Sequence, residues 1–176
     1  VDDDLLDVTA LVSLRSINIA HSYVRIGALA TWTDLVETDL PRCFDGLKLA
    51  AREVGGVQIQ NAGTIIGNVC NASPAADGTP CLLTLDAEIE LASLDDERTL
   101  RLSEFVVGNR RTARQPNEMV TAIRIPLPGV GARSTFLKLG ARRYLVISIV
   151  SVGAVIEPAA DGTIAQARIA VGACSE

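Results

Sequence analysis

Residues 58–77, QIQNAGTIIGNVCNASPAAD, hold the densest set of ligand-directed groups in the chain. Gly63, Gly67 and Ala72 keep the backbone small. Asn61, Asn68 and Asn71 offer amides, Thr64 and Ser73 hydroxyls, and Asp77 a carboxylate. Small residues let a ligand approach the main chain closely, and amides and hydroxyls supply directional hydrogen bonds without a fixed charge. Such a stretch suits a large polar cofactor. Its small-residue content predicts a loop rather than a core helix, with Ile59, Ile65, Ile66 and Val69 on its buried side.

The elements that must position this stretch lie on both sides of it. Upstream, residues 16–27 alternate as a hairpin, with Ile17 and Ile19 on one arm, Val24 and Ile26 on the other, and His21-Ser22 at the bend. His21 reads as a turn residue, with a catalytic base as the sharper alternative. Thr31 offers a helix N-cap with Asp34 in the first turn. A second helix after Pro41 presents Leu40, Phe44, Leu47, Ala51 and Val54 on one face and stops at Gly55-Gly56, directly before the polar stretch.

Downstream, residues 80–85 form a short apolar segment, and 87–91 with 99–102 a hairpin whose tip, Asp95-Asp96-Glu97, is solvated. Ser103-Glu104-Phe105 opens a short helix and residues 108–111 a mobile loop. Residues 118–125 return to strand before Pro126 and Pro128, whose rings stop a ladder. The 128–131 stretch, Pro-Gly-Val-Gly, divides a first lobe, 1–128, from a second, 132–176. Strands at 134–139, 148–157 and 164–171, with a turn at Asp161-Gly162, complete the second lobe. Hairpins mixed with a few helices predict an α+β class rather than a doubly wound parallel sheet.

Composition limits the function classes. Aromatics make up 3% of the 176 residues and the formal net charge is −5, so neither a base-stacking platform nor a basic phosphate-binding face is expected, and nucleic acid is excluded as a partner. Cys43, Cys70, Cys81 and Cys174 show no C-x-x-C spacing and share the chain with one histidine, which argues against a structural metal site and for reduced thiols in a cytoplasmic protein. The apolar run 145–156 is broken by Ser148, Ser151 and Gly153 and falls short of the roughly 20 residues of a membrane span. No signal peptide opens the chain, and Val1-Asp2-Asp3-Asp4 reads like the middle of a domain. A glycine fingerprint opening a helix after a strand is missing as well.

Thr64-x-x-Gly67-Asn68, followed by Asn71-Ala72-Ser73-Pro74-Ala75-x-Asp77, resembles the signature of the FAD-binding subunit or domain of the molybdenum hydroxylases, the xanthine and carbon monoxide dehydrogenase family. The similarity runs from about Leu5 to Ala173. It implies an FAD-binding subdomain of the vanillyl-alcohol-oxidase/PCMH-like type and a small mixed-sheet C-terminal lobe. It also implies that a second, glycine-rich pyrophosphate loop lies upstream of residue 1, so this chain holds half of the cofactor site. The main chain of Thr64, Ile65, Ile66, Gly67 and Asn68 would face the phosphate and ribityl region, with Asn71 and Ser73 beside it and Asp77 on cofactor hydroxyls. Lys138 falls where the family often places a lysine near the flavin, to stabilise the reduced ring; a solvated surface lysine is the other reading. Val54 and Val120 would line the ring or simply pack in the core. Where the family shows two glycines before the asparagine, Ile66 stands in place of the first.

The resemblance further implies partners: a molybdopterin-binding large subunit, a 2Fe-2S small subunit, and an electron acceptor such as NAD or a quinone. A degenerate assembly module that keeps the fold without the flavin, and an unrelated binding domain, are the competing readings.

Overall fold

The computed structural model describes residues 6–174; the acidic opening Val1 to Asp4 lies outside them. After a 3-10 turn at Val12–Arg15 come β1 (Ile17–Ile19), β2 (Tyr23–Gly27), α1 (Trp32–Glu37), a second 3-10 turn (Arg42–Phe44), α2 (Asp45–Glu53), α3 (Val57–Ala62), α4 (Ile65–Asn71) and α5 (Gly78–Thr84). Then follow β3 (Glu88–Ala92), β4 (Glu97–Arg101), α6 (Leu102–Phe105), β5 (Val106–Gly108), β6 (Arg111–Thr112), β7 (Met119–Pro126), β8 (Arg133–Gly140), β9 (Ser148–Pro158) and β10 (Ile164–Gly172). Every strand pair is antiparallel, so the α+β class expected from the sequence holds.

The first sheet runs β1-β2-β7-β3-β4. Its register aligns Ile17, Ile26, Ile123, Ile89 and Leu100 in one row across all five strands. The three central members are fully buried. Directly opposed β-branched side chains on one face are the unit of sheet stabilisation, and a slip by one residue would turn the whole row to solvent. On the other face Arg25 pairs with Glu90 at 2.8 Å and Arg124 with Glu88 at 2.9 Å. Half-exposed pairs of this kind add little stability but penalise other registers.

The helices stand where their caps put them. At α1 the Thr31 hydroxyl accepts from Asp34 N–H while the Asp34 carboxylate accepts from Thr31 N–H. Helix α2 buries Gly46, Leu47, Ala50 and Ala51, and the chain leaves it through Gly55 in the left-handed region (φ +56°).

Three expectations are corrected. The 58–77 stretch is mostly helical, α3 and α4, because small residues do not prevent a helix when caps and one apolar face agree: Thr64 caps α4, Ala72 ends it in the left-handed region, and Ile65, Ile66 and Val69 share the inward face. Ile59, expected inside, is 56% exposed on α3. The short apolar segment expected at residues 80–85 falls almost wholly within helix α5, in keeping with that expectation. Residues 108–111 form the turn of the β5–β6 ribbon instead of an open loop, and Arg110 N–H donates to Ala72 C=O.

The second sheet, β10-β9-β8, rests one face on α2 and α5. Contact is close enough to require glycine: a Cβ on Gly46 would lie 2.8 Å from Thr135 O, and one on Gly153 would lie 3.0 Å from Cys81 N. The opposite face carries Leu137, Val152 and Val171 in register, with Leu137 and Val171 exposed.

Candidate cofactor site

Alternation along β8 decides where Lys138 goes. Leu137 and Leu139 point outward, so Lys138 shares the inward face with Phe136. Its Nζ lies 2.6 Å from Asp77 Oδ2, and each side chain is 8% exposed. Lys138 is therefore not a solvated surface lysine. The Ser148 hydroxyl, at the start of β9, donates to the other carboxylate oxygen, Oδ1. Asp77 itself sits at the N-terminal end of α5, where a negative charge suits the helix dipole. Three elements thus meet on one carboxylate. Cys81, one turn further along α5, feels the same environment: burial, then the Asp77 charge, pushes its thiol up to about 12.

The start of α4 forms the second group. Ile65 N–H donates to Ala30 C=O, Gly67 N–H to the Thr64 hydroxyl, and Asn68 N–H to Thr64 C=O. Among the described residues Ile66 N–H meets no acceptor, while the Ile66 side chain is only 5% exposed, turned into the core. The departure from two glycines therefore leaves a main-chain donor in place and puts no side chain over it. Asn68 Oδ1 is buried without a donor among the described residues, a state that costs about 1–3 kcal/mol and that a ligand donor would relieve.

The remaining sequence-derived residues are dispersed. Asn71 Oδ1 accepts from Arg110 Nη1 at 2.7 Å, and Ser73 Oγ accepts from Ala75 N–H. Val54 caps the C-terminus of α2 half-buried, and Val120 is 5% exposed in β7; both pack with the main hydrophobic core. A cleft of about 450 Å³ runs beside Lys138, walled by Leu49, Glu53, Phe136, Leu139, Arg142 and Val146. A smaller one, about 300 Å³, opens at Ala72, Ser73 and Pro74. Sequence reasoning missed Ser148 as a partner of Asp77. Its signal was a lone hydroxyl at the head of a strand, inside an apolar run.

Among the described residues no group of three or more His, Cys, Asp or Glu side chains is placed to hold a metal, and no helix is long and apolar enough to cross a membrane.

The family model described as FAD binding domain in molybdopterin dehydrogenase matches residues 2–128. The chain belongs to this family. It is 35% identical over 159 residues to the nicotinate dehydrogenase FAD-subunit of Eubacterium barkeri, covering 88% of this chain and 54% of the relative. It is 29% identical over 171 residues to the xanthine dehydrogenase FAD-binding subunit of Escherichia coli O157:H7, covering 96% of this chain and 58% of the relative. In three dimensions it superposes on carbon monoxide dehydrogenase from Hydrogenophaga pseudoflava with a TM-score of 0.87 at 26% identity, over 94% of this chain and 57% of that one. The chain thus spans little more than half the length of these relatives. Within this molybdopterin-dehydrogenase family match fall α4 and Asp77; Lys138 and Ser148 lie beyond it, on the second sheet.

The residues present fit the group that the family's description names. A main-chain donor at Ile66 and a buried acceptor at Asn68 that are unpartnered among the described residues, with a carboxylate–ammonium pair whose lysine lines a cleft, match the mixed demands of phosphate, ribityl hydroxyls and an electron-accepting ring.

Proposed function

We propose that this chain is the FAD-binding, electron-transferring part of a molybdenum hydroxylase. In that role it takes electrons from iron-sulfur clusters in a small subunit, which a molybdopterin-binding large subunit reduces, and passes them to an acceptor such as NAD or a quinone. The observation that carries the reading is the family match over residues 2–128, which contains both the capped start of α4 and Asp77. The names of the nicotinate and xanthine dehydrogenase relatives support it. Residues 1–128 then form the FAD-binding subdomain and 132–176 the opening of a second lobe, in a cytoplasmic complex.

The protein's part is binding and electrostatics. Main-chain groups of Thr64, Ile65, Ile66, Gly67 and Asn68 hold phosphate and ribityl oxygens, with Asn71 and Ser73 flanking them. Asp77 accepts from cofactor hydroxyls with the lone pairs that Lys138 and Ser148 leave. Lys138 places a positive charge beside the ring, and Val54 and Val120 present apolar surface. Bound flavin supplies the redox chemistry itself.

Purified from its own host, the tagged full-length protein is expected to carry FAD and to bring molybdenum and iron with it. Stripping the FAD should abolish reduction of an acceptor dye by the complex while its iron-sulfur clusters remain reducible. Flavin-free protein that purifies without either metal overturns the reading.

A further inference from the structure

We propose that Ser148 is a positioning residue of the cofactor site, acting through Asp77 to keep the Lys138 ammonium available to the flavin. The inference rests on the reading of this chain as an FAD-binding component. Asp77 has two carboxylate oxygens and, among the described residues, one cation paired with it. A lysine ammonium is a compact point charge that either carboxylate oxygen can meet. Here Ser148 Oγ donates to Oδ1 and holds it away, so Lys138 Nζ meets only Oδ2, at 2.6 Å. An ammonium has three N–H donors; this one makes a single hydrogen bond among the described residues, and Lys138 is one of the residues that line the 450 Å³ cleft. The Ser148 side chain is enclosed, with the residue 6% exposed, so water does not compete for its bond. Its backbone is fixed too, because Ser148 pairs with Gly140 across from β8, two residues beyond Lys138.

The consequence is electrostatic. With Ser148 in place the Lys138–Asp77 pair presents its positive end to the cleft. Removing the hydroxyl frees Oδ1 to turn onto Lys138, which draws the cation's field back into the pair and leaves the carboxylate misaligned for a ligand hydroxyl. A flavin in the cleft then loses a stabiliser of its reduced state and one well-placed acceptor.

The test uses full-length protein with FAD removed, comparing wild type, Ser148→Ala and Ser148→Thr. FAD affinity is read by fluorescence titration, the flavin midpoint potential by equilibration with redox dyes, and fold stability by thermal unfolding of the apo form. Ser148→Ala is expected to bind FAD about tenfold more weakly, the loss of one hydrogen bond to a charged group, and to shift the midpoint to more negative values. Ser148→Thr, which keeps the hydroxyl on a strand-favouring side chain, should restore both. If Ser148→Ala does not fold, Ser148→Cys, with its weaker donor, is read in the same way. A variant lacking the hydroxyl that has wild-type affinity and potential overturns the inference, and so does a fall in apo stability with no change in potential. Wild type that binds no FAD overturns the proposed function and this inference with it, a result distinct from the other two.

Discussion

Asp77 and Lys138, 61 residues apart in sequence, form an ion pair of 2.6 Å in which both side chains are 8% exposed. The pair joins the head of α5 to the inward face of β8, tying the part of the chain within the family match to the sheet beyond it. A carboxylate proposed for the cofactor site is therefore also a structural one.

Asp77→Ala leaves Lys138 buried without a counter-charge. Breaking a buried pair from one side costs about 3–5 kcal/mol, more than a loop carboxylate facing solvent would. Urea unfolding of the FAD-free full-length protein should show this loss for Asp77→Ala and for Lys138→Met, and a smaller loss for the double variant than the sum of the two. Additive effects would mean that the two groups do not interact.

Ile66→Gly is expected to destabilise without improving the cofactor site. The side chain is buried among core residues, so its removal combines a cavity with a glycine in a helix, about 3–5 kcal/mol together. Its main-chain N–H is unchanged in kind by the substitution. Flavin content per folded chain should stay level, and a variant that gains flavin at undiminished stability would show that the isoleucine obstructs the site.

Glu118 provides a pH handle away from the cofactor. Its hydrogen bonds with the Arg98 guanidinium, at 2.5 and 2.9 Å, then that with Gln115 N–H at 2.6 Å, hold the carboxyl down to about 2 from an ordinary 4.5. A depressed folded-state value means that its contribution is fully present above about 4.5 and disappears as the pH falls through about 2. Glu118→Gln should thus be less stable than wild type at neutral pH, with the gap closing over that window in urea-melt midpoints. A gap that is constant with pH would assign the effect to packing.

The thiols should react in order of their surroundings. Burial raises Cys43 to about 11 and Cys81 to about 12, and raises Cys70 as well, whereas Cys174 is exposed. Brief alkylation of native protein at mild pH followed by peptide mass mapping should label Cys174 first and leave Cys43 and Cys81 unmodified until the chain is denatured.

How much of this was legible in the sequence depends on the range of the interaction. Local signals held: the Thr31 cap, the Gly55 stop, the hairpins at residues 17–27 and 88–101, and the three C-terminal strands. The helical state of 58–77 was obscured because glycine and asparagine argued for a loop, while the Thr64 cap and the Ile65, Ile66, Val69 face prevailed once there was a core to pack against. The Asp77–Lys138–Ser148 cluster was not legible as a cluster. Nothing local to position 77 announces partners 61 and 71 residues away, and only the antiparallel register of β8 and β9 brings them to one point.

The central claim is that this chain supplies part of an FAD site, and equilibrium titration of FAD into the FAD-stripped full-length protein tests it most directly. The account predicts saturable binding of one FAD per chain, weakened in Asp77→Asn and Lys138→Met variants that still fold. Full-length folded protein that shows no saturable FAD binding, or binding untouched by either substitution, would contradict it.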